Sequence, residues 1–354
     1  MTMKTLFKLL LFFSGLFQIL YYLNLIFLKK DYPMPPNVND LASPYNLADR
    51  VNGFYSEEKS SLDVIFVGSS SIHCNINPNV LWKEFGITSY DFSSDQQELG
   101  TTYYYLQQAF ETQSPKVVFV DILNSGEDEE LDTLQAHFSF DHMKNDQYKI
   151  KAIWNRTKKD RLEIFFPLIT YHERWKELKL SDFQFRPNRH DIFNGALINI
   201  FSEEQVKPEI SDNLPKYELH QNTIHWIQSI LKLCRENDCE CIFIKTPIAI
   251  QYEPFLTYFN AFDEYCRENG IPFLYLNKMT DEIGLDFSND YLDIVHMNWD
   301  GQQKFSTFLG KYIRDNFDIT NKKGQPGYEQ WDKDYETMIH YINNFQDLYK
   351  NQQN

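Results

Sequence analysis

Five short apolar runs, at 62–67, 88–92, 116–122, 241–246 and 272–276, alternate along the chain with stretches of helical periodicity. After the first run, Pro78 fits the opening turn of a helix. The stretch 99–112 places Tyr103, Leu106 and Phe110 on one helical face, and 217–237 does the same with Ile224, Ile227, Ile230, Leu231 and Cys234. A helix over 255–269 stops at Gly270, and a last one covers about 301–317. Strands of this length separated by helices of this length are joined by crossovers, which predicts βαβ units and an α/β fold on a parallel, doubly wound sheet.

The alternation lapses between about 124 and 215. This stretch reads as a helical insertion at the end of the third strand, overhanging the sheet edge where open α/β folds bind ligands. The expected organisation is a transmembrane anchor over 1–30, a Pro- and Asn-rich linker with an entry helix over 31–58, one α/β domain over 59–317 and a polar tail helix over 318–354. One large domain suits a chain of 354 residues.

From 9 to 28 the chain is almost wholly apolar, with Lys4 and Lys8 before it and Lys29 and Lys30 after it. Twenty such residues span a bilayer once. No small-residue cleavage pattern follows, so an uncleaved anchor is expected and a signal peptide is the alternative. The flanking charges are balanced and leave orientation open. A net charge of −16 opposes binding to polyanions, so nucleic acid is not an expected partner. The five cysteines show no zinc-type pairing, and no metal is expected. They read as buried free thiols, with a Cys234–Cys239 disulfide open in an oxidising compartment.

The chemistry gathers at two places. The first strand runs into Gly68-Ser69-Ser70-Ser71, and a distant loop carries Asp293-Ile-Val-His296 just before the last helix. Gly68 allows a tight turn, and backbone N–H groups at the start of the next helix can stabilise an oxyanion. Ser70 is the expected nucleophile, with Ser69 and Ser71 as substitutes; His296 is the base and Asp293 its orienting acceptor. Each motif alone is weak: a serine turn usually caps a helix, and an isolated Asp-x-x-His is usually a solvated loop. Together they are the equipment of a serine acyl hydrolase or acyltransferase. Further donors and rim residues are expected from Ser94 and Gln97 after the second strand and from Asp121 at the end of the third. His73 is a candidate to reach the same site. Asn298 is expected to cap the last helix. In Tyr171-His-Glu-Arg174-Trp175, Arg174 is a candidate for a substrate anion and Trp175 for stacking on a sugar, against a reading as an amphipathic helix that docks the insertion.

Gly68-Ser69-Ser70 with Asp293-x-x-His296 resembles the first and last motif blocks of the SGNH (GDSL-like) hydrolase superfamily. More closely, 64–81, Tyr103-Tyr-Tyr-Leu106, 171–175, Lys245-Thr-Pro247 and His296-Met-Asn-Trp-Asp-Gly301 resemble the membrane-anchored bacterial SGNH-like proteins related to DltD. The resemblance implies a flavodoxin-like three-layer α/β/α fold and action on an acylated carbohydrate or cell-envelope polymer. It also implies an integral-membrane acyltransferase as partner. The chain departs from the pattern after the third strand, where Asp121-Ile-Leu-Asn124 replaces the Gly-x-Asn-Asp block and its oxyanion-binding asparagine. It departs again at Ser71, where relatives often carry histidine. The expected function is a membrane-tethered, cofactor-free serine O-acyl esterase or acyltransferase facing an extracytoplasmic glycan. The alternatives are a non-catalytic scaffold of the same fold, or a cytosol-facing protein whose serine loop binds phosphate.

Overall fold

The computed structural model describes residues 1–29, 35–42, 46–125, 131–183, 189–211 and 215–353. Five strands, β1 (Val64–Val67), β2 (Ser89–Asp91), β3 (Val117–Asp121), β4 (Glu240–Lys245) and β5 (Phe273–Tyr275), form one all-parallel sheet in the order β2-β1-β3-β4-β5. Each falls within one residue of an expected apolar run or inside it. The order reverses between β1 and β3, and the crevice outside the carboxyl ends of those two strands is where a doubly wound sheet binds its ligand.

Successive side chains on a strand point to opposite faces, and both faces of this sheet are covered. Ile65, Val67, Val118, Val120 and Phe243 face one side, packing under helices Leu99–Phe110, Gln221–Glu236 and Glu253–Glu268. Val64, Phe66, Val117, Phe119 and Ile242 face the other, under helices Pro78–Phe85 and Trp299–Asn316. Asn298 caps Trp299–Asn316, its side chain accepting from the N–H groups of Asp300 and Gly301. The result is the three-layer α/β/α architecture.

The two flanks of the domain differ from expectation. The stretch read as a linker and entry helix does hold a helix, Asn46–Phe54, but the part read as linker is built into the body: Val38 and Asn39 are buried, and Asn39 donates to Ala196 O at 2.9 Å and accepts from Ile198 N at 3.1 Å. Arg50 is buried within that helix. Its asparagines signal loop by composition but act here as hydrogen-bonding plugs. The terminal helix Glu329–Gln353 is no polar tail either. It buries Trp331, Met338 and Ile342, and Asp332 accepts from Trp82 Nε1 at 3.0 Å.

Among its described residues the insertion carries four short helices, Thr133–Phe140, Gln147–Arg156, Arg161–Phe165 and Pro167–Tyr171, and two 3-10 turns, His172–Lys176 and Leu180–Phe183. Helix α1 (Met3–Phe27) leads into the body and contacts Pro167–Tyr171 and both 3-10 turns. All five cysteines are buried and free, so Cys234 and Cys239 are not joined.

Candidate active site

β1 delivers the chain to Gly68, whose φ of +145° lies where side chains rarely go and whose position a Cβ would place 2.5 Å from Asp121 Cβ. Only glycine fits a turn lying this close to β3. Ser69 then caps the short helix Ser70–His73. Its hydroxyl donates to Asp121 Oδ2 at 2.6 Å and its side chain accepts from the Ser71 N–H. Ser69 and Ser71 are fully buried, while Ser70 is half-buried. Of the three serines, Ser70 is the one that opens outward.

Ser70 Oγ lies 2.8 Å from His296 Nε2, and His296 Nδ1 lies 2.8 Å from Asp293 Oδ2. The other carboxylate oxygen of Asp293 accepts from the N–H groups of Val295 at 2.7 Å and His296 at 2.9 Å. Burial alone would raise the Asp293 pKa, but the hydrogen bond and charge of His296, with these two N–H groups, more than offset it and hold the carboxyl below its ordinary range. The histidine loop is a tight turn, closed by the Tyr291–Met297 bridge and by Leu292 N–H donating to His296 O at 2.8 Å.

Asn75, which sequence reasoning did not single out, joins the two halves of the site. It is fully buried just after the Ser70 helix, accepts from Met297 N at 2.7 Å and donates to Val295 O at 3.0 Å. Its amide also reaches Thr246 Oγ1 at 3.3 Å, at the end of β4. Gln302 adds a second stitch from the last helix, donating to Cys74 O at 2.7 Å. The only prior signal for Asn75 was a polar residue among apolar neighbours in Ile72-His-Cys-Asn-Ile76.

The other expected site residues are occupied elsewhere. Ser94 N–H points at Gly68 O (3.2 Å) and Gln97 Oε1 (3.1 Å), and the Gln97 amide donates to Thr102 Oγ1 at 2.9 Å. Neither is aimed at an oxyanion, which corrects that expectation; the loop is satisfied within itself. The N–H of Ser70, by contrast, donates to no acceptor among the described residues. Asp121 is buried beneath Ser69 and does not line the rim.

His73 is also fully buried. Its Nδ1 lies 2.8 Å from Ser93 Oγ and its Nε2 lies 3.2 Å from Asp95 Oδ1. Burial, with the nearby Arg50 charge, lowers its pKa to about 3, so the ring is neutral and locked behind the site instead of reaching into it. Asp95 completes that cluster: burial alone would raise it, but the His73 hydrogen bond and Arg50 lower it to about 2.

Arg174 is the clearest departure. Its Nη1 donates to Phe27 O at 2.7 Å and Leu28 O at 2.8 Å, and its Nη2 pairs with Asp182 at 2.9 Å. It caps the carboxyl end of α1 and is not free for a substrate anion.

No protein-family model and no curated protein matches the sequence. Two solved structures similar to it come from Desulfitobacterium hafniense, a protein assigned to the G-D-S-L lipolytic family, and from Bacteroides fragilis, a protein assigned as an acylhydrolase. The first is 11% identical over 70% of this chain and 97% of that one, with a TM-score of 0.36; the second is 13% identical over 76% and 96%, with a TM-score of 0.38. Overlap this loose carries no argument, and the fold rests on the strand order and register above.

Proposed function

We propose that the protein is a serine O-acyl esterase or acyltransferase, tethered to a membrane by α1 and acting on an extracytoplasmic glycan or cell-envelope polymer. The observation that carries the chemistry is the unbroken chain Asp293–His296–Ser70, in which serine and histidine are 226 positions apart in sequence and 2.8 Å apart in space. Ser70 Oγ attacks the ester carbonyl while His296 Nε2 takes its proton. The tetrahedral intermediate collapses, the C–O bond to the sugar breaks, and His296 returns the proton to the departing hydroxyl. Water or a second sugar hydroxyl then resolves the acyl-enzyme by the same route. Asp293 holds the imidazole tautomer with its proton on Nδ1, and the Ser70 N–H is available to the oxyanion.

The tether, the envelope glycan and an integral-membrane acyltransferase as partner draw their support from α1 and from the motif resemblance. Retention of α1 is further supported by Arg174, which caps it from within the folded body. A second reading, a non-catalytic glycan-binding scaffold, is favoured by the commitment of Ser94 and Gln97 to internal partners, which leaves the Ser70 N–H without a companion donor from that loop.

A fluorophosphonate probe separates the two. The enzyme labels at Ser70 and loses most of that labelling in His296→Ala, whereas a scaffold stays unlabelled while still folded. Acid release from O-acetylated envelope polysaccharide, compared with acyl transfer to added oligosaccharide, then tests the substrate class.

A further inference from the structure

We propose that the insertion face surrounding the carboxyl end of α1 lies in the headgroup layer of an anionic bilayer, docking the body on the membrane in one orientation instead of leaving it on a loose tether. The proposal rests on the anchor reading of α1 and adds a second contact to it. The apolar stretch 9–28 is about 30 Å long as a helix, which matches the hydrocarbon thickness of a bilayer. The body grips the last turns of that same stretch. Asn24 Oδ1 accepts from Leu168 N at 3.0 Å, Arg174 caps Phe27 and Leu28, and His142 Nε2 lies 3.1 Å from Lys29 O. Earlier positions of α1 stand almost wholly exposed. With the span filled by a helix whose end is already clasped, the clasping elements have no slack and must meet the membrane surface.

Their composition suits that place. Beyond α1, sixteen large hydrophobic residues are exposed among the described residues, and nine of them fall between 134 and 183. Ile169, Trp175, Leu180 and Phe183 sit on the three elements that contact α1, with Trp154 and Leu162 on the helices behind. Trp175 is 64% and Leu180 87% exposed, which is costly in water and ordinary at an acyl–headgroup boundary. Tryptophan in particular concentrates at that depth. The charge agrees: with the buried Lys149 and Arg156 and the Arg174–Asp182 pair set aside, 144–183 keeps seven Lys and Arg against five Asp and Glu, in a chain of net charge −16. A basic, aromatic-rich collar on an acidic body fits an anionic lipid surface.

The test uses the full chain reconstituted in vesicles of phosphatidylglycerol and phosphatidylethanolamine. Because the native thiols are buried, Trp175→Cys, Leu180→Cys and, as comparator, Leu348→Cys on the terminal helix can each be labelled with bimane. Docking predicts quenching by nitroxide-bearing lipid at 175 and 180, with iodide quenching there roughly threefold weaker than at 348. Equal iodide access at all three positions overturns it. So does shielding that occurs in native membranes but not in pure lipid, which would assign the face to a membrane-protein partner. Carbonate washing separates the two levels: a chain stripped from vesicles refutes the anchor itself, and a chain that resists washing but shows iodide-accessible labels refutes the docking alone.

Discussion

Ser69, Ser70 and Ser71 share one chemistry and differ only in surroundings. Ser69 is spent on Asp121 and on capping, Ser71 is buried, and Ser70 alone meets an imidazole. Ser70→Ala is therefore expected to abolish esterase turnover, and Asp293→Asn to lower kcat by about 10³–10⁴ by stabilising the wrong imidazole tautomer, measured on an aryl acetate. Fold should survive both, as circular dichroism would verify. Gly68→Ala is a different experiment. A Cβ at φ +145° and 2.5 Å from Asp121 Cβ should cost about 1–3 kcal/mol of unfolding free energy in a denaturant titration. The convergence of Ser70, His296 and Asp293 was legible because each lay in a local motif. Which backbone N–H groups stay free was not, because that depends on partners both near and distant in sequence. Nothing in Ser93-Ser94-Asp95 announces that Gly68 O and Gln97 will use up the Ser94 N–H.

Elements were readable where a period existed. The strands at β1, β3 and β4 are fully apolar over at least four positions, and the long helices carry clear stripes, so their place in a parallel sheet followed. What failed was the reading of segments by composition: Pro and Asn before β1 suggested a linker, yet Val38 and Asn39 are core. Contacts between elements were equally invisible, Asn75 most of all. It holds the histidine loop against the Ser70 helix through Met297 N and Val295 O, both in or beside the active loop. Asn75→Ala leaves the buried Met297 N–H unpaired, at about 1–3 kcal/mol, and frees the half-buried Val295 carbonyl. Activity on an aryl acetate should fall well beyond what the loss of folded protein explains, since a displacement near 1 Å between Ser70 and His296 costs about 10²-fold. An unchanged kcat in a destabilised variant would show that Asn75 only packs.

Across the whole molecule, one histidine bridges the segment before β1 and the terminal helix, which also pack on each other through Val38, Met338 and Ile342. His190 bridges Glu57, after the helix Asn46–Phe54, and Asp334 of the terminal helix, at 3.1 and 2.7 Å. Burial alone would lower its pKa, but hydrogen bonds and charge from Asp334 and Glu57 raise it to about 10. A folded pKa above the unfolded value, near 6.5, means that this stabilisation is complete below about pH 6.5 and is lost as pH rises through about 10. His190→Gln should flatten the decline in melting temperature between those limits. A wild-type decline that persists unaltered in the variant would place its origin in other groups.

Covalent acylation of Ser70 with His296 as its base is read by peptide mass spectrometry of the full chain, quenched after brief reaction with an activated aryl acyl ester. A single acyl adduct is expected on the peptide containing Ser70, absent in Ser70→Ala and formed at least about tenfold more slowly in His296→Ala, on the order of a general-base contribution. An adduct on another residue, or none on a folded chain, would contradict it.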